Sequence, residues 1–279
     1  MPKFSCADFT FPVLERLAAL KLIRLLGFDH TDIGLFARSD HFSPISLQAS
    51  PHSYTAQVQQ NLDAAELRAS DVFLQIGADP SECAANDPDS SIRAGNRDLF
   101  KLALEFCIAL GCKHLTGLPG VFHGGVSRER DLGLAAEVAA WRVAECTNAG
   151  ITYAIEPHVG SICADVESAR AFPTLVEGLT LTLDYGHFVM TGENSAQIHT
   201  LLPLASHIHV RGGAFDQLQT TVDDNTIDFA GMLTGLKQLS YEGFLALEYV
   251  WIDWKGCNRT DNVSETILLR RALESAISA

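Results

Sequence analysis

The sequence contains no apolar run long enough to cross a membrane, since a spanning helix needs about 20 consecutive apolar residues. The first residues show neither a basic stretch followed by an apolar one nor a twin-arginine pair. These absences predict a cytoplasmic protein with no membrane partner.

Disulfide and zinc motifs are also missing. The seven cysteines are odd in number and scattered, and no two of them form a Cys-x-x-Cys pair. This pattern indicates free thiols in a reducing compartment.

Basic residues are also scarce. The sequence has 20 lysines and arginines and 34 acidic residues, which gives a formal net charge of −14. Phosphate binding needs a basic surface, so nucleic acid is not expected as a partner.

No proline- or serine-rich linker and no low-complexity tract divides the 279 residues. That length fits one barrel domain as well as two ordinary domains. Without a linker, the sequence favours one catalytic domain over residues 1–279.

What the chain does contain is an alternation of short β-rich runs and longer amphipathic segments. Strands are predicted at residues 4–9, 30–35, 71–76, 114–118, 152–156, 179–184, 207–211 and 244–249. Apolar residues at spacings of three and four predict helices at 13–26, 54–68, 92–110, 128–149, 164–176, 196–202, 229–239 and 263–278. Eight β-then-α units predict an α/β fold, a single (βα)8 TIM barrel with eight parallel strands. A doubly wound sheet is the alternative, but no Gly-x-Gly-x-x-Gly follows the first strand.

Each of the last four predicted strands ends in a side chain that can bind a metal ion. The carboxyl ends of barrel strands form the active site, and side chains alternate between the two faces of a strand. On the sixth strand Thr180, Thr182 and Asp184 therefore share a face, which we expect to point into the barrel. The same parity brings four candidate ligands to one point: Glu156, Asp184, His209 and Glu248.

Three carboxylates at one point repel one another, and their burial without a partner is costly. A divalent cation removes that cost. Three carboxylates and one imidazole are a hard ligand set, which favours Mn²⁺, with Mg²⁺ or Co²⁺ as alternatives, over zinc. Taken alone, each acid has another explanation as a helix cap or a surface residue, and the histidine as a packed core residue. Four such residues in register on consecutive strands favour a metal site.

Four segments surround the candidate ligands: residues 155–158 (Ile-Glu-Pro-His), 183–187 (Leu-Asp-Tyr-Gly-His), 207–211 (His-Ile-His-Val-Arg) and 247–249 (Leu-Glu-Tyr). They resemble the metal-site motifs of the xylose-isomerase-like barrel superfamily, and within it the sugar phosphate isomerases and epimerases, including ketose 3-epimerases. The resemblance covers most of the chain and is strongest from the fifth strand onward. It implies that Glu156, Asp184, His209 and Glu248 bind the metal and that His187 and Arg211 reach the substrate.

Residues beside the candidate ligands offer further chemistry. His187 follows Asp184 in a predicted turn opened by Gly186, where it is a substrate hydrogen-bonding group, an outer metal ligand or a structural histidine. Arg211 has the inward parity of His209, so its guanidinium would neutralise an enediolate or carboxylate or pair with a surface acid.

The loops after strands five and eight add three candidates. His158 has the parity of Glu156 and is a candidate acid or base. Trp251 and Trp254 follow Glu248 and would either offer an apolar face to a sugar ring or pack within the loop. Ketose epimerases carry a substrate-binding glutamate further along the strand-five loop, and this chain has no clear equivalent.

These residues predict a divalent-metal-dependent isomerase or epimerase of carbohydrate metabolism, acting on a small sugar or keto substrate through an enediolate. Glu156 and Glu248, on opposite sides of the metal, would move the proton. The alternative is a lyase: the Glu-x-His at 156–158 resembles dehydroshikimate dehydratases, although their strand-seven motif has lysine where this chain has Arg211.

Two other classes are less favoured. The apurinic endonucleases of this superfamily use three zinc ions and extra histidines, whereas residues 223–225 (Asp-Asp-Asn) offer none and the net charge is −14. A metal-bound sugar-binding subunit is the non-catalytic alternative.

No phosphate-binding glycine-rich motif stands out, which favours a free sugar or keto acid. A homo-oligomer is compatible with the sequence, since barrels of this kind commonly pair.

Overall fold

The computed structural model describes residues 2–278, which contain ten strands and ten α-helices. The strands are β1 Lys3–Ala7, β2 His30–Phe36, β3 Arg68–Gln75, β4 His114–Gly117, β5 Thr152–Ile155, β6 Thr180–Asp184, β7 Ala205–Val210, β8 Gly212–Ala214, β9 Gln217–Thr220 and β10 Phe244–Leu247. Eight of them form a closed parallel barrel in the order β1-β10-β7-β6-β5-β4-β3-β2. The predicted (βα)8 fold is confirmed. β8 and β9 form a separate antiparallel hairpin.

The helices lie between the strands. They are α1 Arg16–Leu25, α2 Pro44–Ala49, α3 Pro51–Ala65, α4 Ser90–Ala109, α5 Arg128–Asn148, α6 Val166–Ala171, α7 Tyr185–Val189, α8 Ser195–His199, α9 Phe229–Gln238 and α10 Asn262–Ser278. Among these described residues, no helix combines the length and apolar character that crossing a membrane requires. All seven cysteines are free.

Two predicted helices are shorter than expected. The predictions at 164–176 and 196–202 correspond to α6 and α8, each followed by a 3₁₀ turn, Phe172–Leu175 and Leu202–Leu204. Both turns contain a proline, Pro173 and Pro203. Proline lacks a backbone N–H and clashes with the preceding turn, so it ends an α-helix.

The main apolar core lies between the strands and the surrounding helices. On β6, Leu181 and Leu183 point outward and are fully buried, and Leu20 and Ile23 of α1 are equally buried. Burial of one such side chain stabilises the fold by about 1.5–3 kcal/mol.

The barrel interior is polar, as the alternation on β6 predicts. Thr182 reaches across β5 to Thr116 of β4, with 2.6 Å between the two hydroxyl oxygens. Thr180 lies 2.7 Å from the hydroxyl of Ser206 on β7. The prediction that the small polar face of β6 points into the barrel is therefore confirmed.

Above this polar interior, one side of the barrel mouth carries an aromatic cluster (Phe9, Phe36 and Phe73). The ring centroids of Phe9 and Phe36 are 4.9 Å apart, and those of Phe36 and Phe73 are 5.2 Å apart. Gly34 makes room for it, since a Cβ there would lie 2.4 Å from Phe9 Cδ1 and 2.8 Å from Phe36 Cε2.

Replacement of Gly34 by alanine is therefore expected to lower the free energy of unfolding by about 1–3 kcal/mol, the usual cost of overpacking. Urea unfolding followed by circular dichroism measures the change. Gly95→Ala in α4 is the matched control, because its Cβ would meet no atom within 4 Å and alanine favours a helix over glycine. Equal losses in the two variants would contradict the packing argument.

Candidate metal site

Four barrel strands place the predicted ligand cluster (Glu156, Asp184, His209 and Glu248) at the barrel mouth. Asp184 ends β6 and His209 lies on β7. Glu156 and Glu248 directly follow β5 and β10, and their backbone N–H groups continue the ladder by donating to Gly117 and Val210. All four are buried, with at most 5% of their surface exposed.

The cluster is tightly packed. His209 Nδ1 lies 2.6 Å from Glu156 Oε1 and 3.1 Å from Glu248 Oε2. Glu156, His209 and Glu248 each offer a ligand atom within 4.8 Å of the other two, and Glu156, Asp184 and His187 do so as well. Because Glu156 belongs to both sets, each of the other three predicted ligands has a ligand atom within 4.8 Å of a Glu156 oxygen.

The donor set fits a divalent cation. Glu248 Oε2 is buried and makes no hydrogen bond, in spite of its nearness to His209, and His209 Nε2 is also without a hydrogen-bond partner. A buried charged oxygen without a partner costs free energy. A cation among the three carboxylates would satisfy this oxygen, and the oxygen-rich set suits a hard ion.

The carboxyl groups of the cluster differ in their affinity for protons. Burial raises the pKa of Glu156 to about 7 although His209 opposes the change, and burial also raises the pKa of Asp184 against the effect of Arg211. For Glu248, burial alone would raise the pKa, but His209 and Arg211 outweigh it and the pKa is lowered. Proton binding in this way relieves the repulsion that a cation would otherwise relieve.

His158 presents one free nitrogen. Its Nδ1 lies 3.0 Å from the carbonyl oxygen of Val159, to which only an N–H can donate. The remaining Nε2 is buried without a partner, and burial lowers the pKa of the ring to about 4. The imidazole is therefore neutral near pH 7, with an unprotonated Nε2.

His187 lies on the one-turn helix α7, where the sequence predicts a turn that begins at Gly186. Its Nδ1 faces the backbone N–H of Val159 at 3.4 Å, and its other ring nitrogen is Nε2. That atom is 3.7 Å from Asp184 Oδ2 and 3.5 Å from Arg211 Nη2. Burial, with the neighbouring guanidinium, lowers the ring pKa well below its ordinary value. His187 is thus a neutral imidazole beside the cluster, with an N–H donor near each of its ring nitrogens.

Arg211 pairs inside the site. It is 3% exposed, donates from Nη2 to Asp184 Oδ2, and lies 3.9 Å from Glu248 Oε2. The alternative of a surface acid partner, left open by the sequence, is wrong. The guanidinium supplies a fixed positive charge at the edge of the ligand cluster.

Trp251 and Trp254, in the loop after β10, lie on the rim of the barrel mouth. Trp251 is 43% exposed and Trp254 is 45% exposed. The ring of Trp254 is 6.2 Å, centroid to centroid, from that of His187. The structure therefore brings Trp254 to the edge of the site, while the role of the similarly exposed Trp251 in substrate binding stays a prediction.

Sequence reasoning missed the buried groups beneath the cluster. Asp32 of β2 accepts a hydrogen bond from His207 Nε2 at 2.6 Å, and the ring of Phe73 lies 5.8 Å from that of His209. An acidic residue with inward parity on the second strand was the available signal for Asp32.

Comparisons with known proteins place this geometry in context. A family 2 AP endonuclease from Brucella melitensis has a TM-score of 0.75 at 19% identity, covering 97% of this chain and 99% of that one. A D-allulose 3-epimerase from Methylomonas sp. has a TM-score of 0.76 at 17% identity, covering 99% and 98%. A probable 3-DHS dehydratase from Bacillus anthracis has a TM-score of 0.69 at 11% identity, covering 96% and 98%.

At these identities the likeness shows the fold alone. No curated protein matches the sequence. The model of the xylose isomerase-like TIM barrel family matches residues 20–273, which is most of the chain. The protein belongs to the xylose isomerase-like TIM barrel family.

Proposed function

We propose that this protein is a divalent-metal-dependent isomerase or epimerase that acts on a small sugar or sugar-like keto substrate by proton transfer through an enediolate. The observation that carries the proposal is the buried ligand cluster, in which Glu156 and Glu248 both approach His209 Nδ1, at 2.6 and 3.1 Å. The whole chain, residues 1–279, would act as one catalytic domain, with or without association into a homo-oligomer.

Glu156, Asp184, His209 and Glu248 would hold the cation, with Mn²⁺ favoured and Mg²⁺ or Co²⁺ as alternatives. When bound, such an ion polarises a carbonyl and its neighbouring hydroxyl and thereby acidifies the adjacent C–H. Glu156 and Glu248 would remove the proton on one face of the carbon and return one on the other. General acid–base groups of this kind contribute about 10²–10⁴-fold to rate.

The surrounding residues would bind and orient the substrate. His187 can form a hydrogen bond with a substrate oxygen, and Arg211 can stabilise negative charge that develops on the enediolate. The free Nε2 of His158 can accept a proton or a hydrogen bond. Trp251, together with Trp254, would cover one face of the ligand at the rim.

Hydrogen–deuterium exchange into a panel of ketoses in D₂O tests the proposal. With Mn²⁺ present, we expect at least one ketose to gain deuterium at the carbon beside its carbonyl, because exchange reports carbanion formation whatever the product. A sample treated with chelator is the control and is expected to give no exchange. Tight ketose binding without exchange across the panel would favour a sugar-binding subunit instead.

A lyase is the second candidate. It is favoured by Glu156 and His158 on the same strand-five loop, with His158 Nε2 buried and without a partner, which suits removal of a proton before β-elimination. A fold neighbour is described as a probable 3-DHS dehydratase. An ultraviolet-absorbing conjugated product, rather than a saturated epimer, would identify the lyase.

A further inference from the structure

A second buried carboxylate, Asp32, lies directly beneath the ligand cluster. It belongs to β2, on the far side of the barrel from β7, and none of its surface is exposed. Its Oδ2 atom is 3.4 Å from Nε2 of His209. None of the residues that the sequence assigns to the site explains why an acid occupies this position.

Asp32 is itself firmly held. Its Oδ1 accepts hydrogen bonds from the hydroxyls of Ser5 at 3.0 Å and Ser70 at 2.5 Å, on the neighbouring strands β1 and β3. Its Oδ2 accepts from His207 Nε2 at 2.6 Å. Both oxygens are thus already acceptors of protein hydrogen bonds, which suits an orienting role better than that of a ligand to a second ion.

The two nitrogens of His209 face different partners. Nδ1 shares a hydrogen bond with Glu156 and faces Glu248, and these two acids would share the cation with it, while Nε2 faces Asp32. A neutral imidazole carries one proton, and only its unprotonated nitrogen can bind a metal. The negative charge of a carboxylate 3.4 Å from Nε2 favours the proton on that nitrogen, although the two atoms form no hydrogen bond, and leaves the lone pair on Nδ1. Histidine ligands commonly have such a carboxylate partner.

We propose that Asp32 is a positioning residue that holds His209 in the Nε2–H tautomer and so directs Nδ1 at the cation. This role depends on the proposed metal site. Ser5, Ser70 and His207 fix the orientation of Asp32, so the polar interior of the barrel acts as the support of the metal ligand.

The first test is Mn²⁺ affinity, measured by isothermal titration calorimetry on the purified full chain. Asp32→Asn has nearly the same shape, but its amide offers an N–H to Nε2 and favours the wrong tautomer. We expect Mn²⁺ binding to weaken about 10–100-fold, as for other partners of metal-binding histidines.

Asp131→Asn is the matched control. Asp131 is equally buried and also pairs with an imidazole, since its Oδ1 lies 2.8 Å from His123 Nδ1. It belongs to α5 and to none of the clusters around His209, so its loss disturbs a buried carboxylate–histidine pair without removing the carboxylate beside His209. We expect its Mn²⁺ affinity to stay within about threefold of wild type. Equal losses in both variants, or wild-type affinity in Asp32→Asn, would overturn the positioning role.

A second measurement needs no variant to fold. In wild-type protein loaded with Mg²⁺, which is diamagnetic, ¹⁵N spectra of the histidine rings are expected to show His209 protonated at Nε2. A proton on Nδ1 would overturn the inference. Wild-type protein that binds neither Mn²⁺ nor Mg²⁺ would overturn the proposed function as well, whereas unchanged binding by Asp32→Asn overturns the role of Asp32 alone.

Discussion

Glu248→Gln is expected to lower turnover by about 100-fold or more while Mn²⁺ stays bound. The amide cannot accept a proton from the substrate carbon, and loss of a general acid–base group typically costs about 10²–10⁴-fold. Its carbonyl oxygen keeps the size and position of a metal ligand. Rates of deuterium exchange, with Mn²⁺ affinity measured on the same samples, separate the loss of proton transfer from the loss of metal.

Glu265→Gln provides the matched control for this variant. Glu265 is also buried, but it lies on α10, where its Oε2 accepts the backbone N–H of Val222 at 2.7 Å. Glutamine can still accept that hydrogen bond, so turnover is expected to remain near that of wild type. If Glu248→Gln turned over a genuine substrate at the wild-type rate, Glu248 would have no part in proton transfer.

Mn²⁺ at about 100 times its Kd is expected to stabilise the folded chain by about 2.7 kcal/mol, because a ligand that binds only the folded state adds RT ln(1 + [L]/Kd). For a chain of this size the melting temperature then rises by roughly 5–10 °C. Thermal unfolding with and without Mn²⁺ measures the shift. Chelator is expected to reverse it.

In Glu156→Gln the Mn²⁺-dependent rise is expected to disappear or become small, because Glu156 belongs to both sets of converging ligand atoms. A full Mn²⁺ shift in this variant would mean that the ion binds elsewhere. The Glu265→Gln control is expected to keep the shift.

The part of the site that could be predicted from the sequence follows local rules. Glu156, Asp184, His209 and Glu248 each lie at or just after the end of a strand, and alternation within the strand decides which way each points. Closure of eight strands then brings the ends together. Each step needs only a few neighbouring residues and the fold class.

The missed parts depend on contacts between distant segments. His207 and Asp32 are 175 residues apart, so nothing near either residue indicates the pair. α7 has five residues, too few for apolar periodicity to reveal. The pairing of Arg211 with Asp184 was likewise open, because parity gives the direction of a side chain but not its partner.

The aromatic cluster has an electrostatic consequence for the opposite side of the barrel mouth. Phe73 lies against His209, with 5.8 Å between ring centroids, so hydrocarbon replaces water at one flank of the charged groups. Two unit charges 4 Å apart interact by about 1 kcal/mol in water and by about 4 kcal/mol at an effective dielectric constant of 20. The phenylalanines thus reduce dielectric screening. Electrostatic interactions between a charge bound at this site and the carboxylates are therefore stronger than in a cleft filled with water.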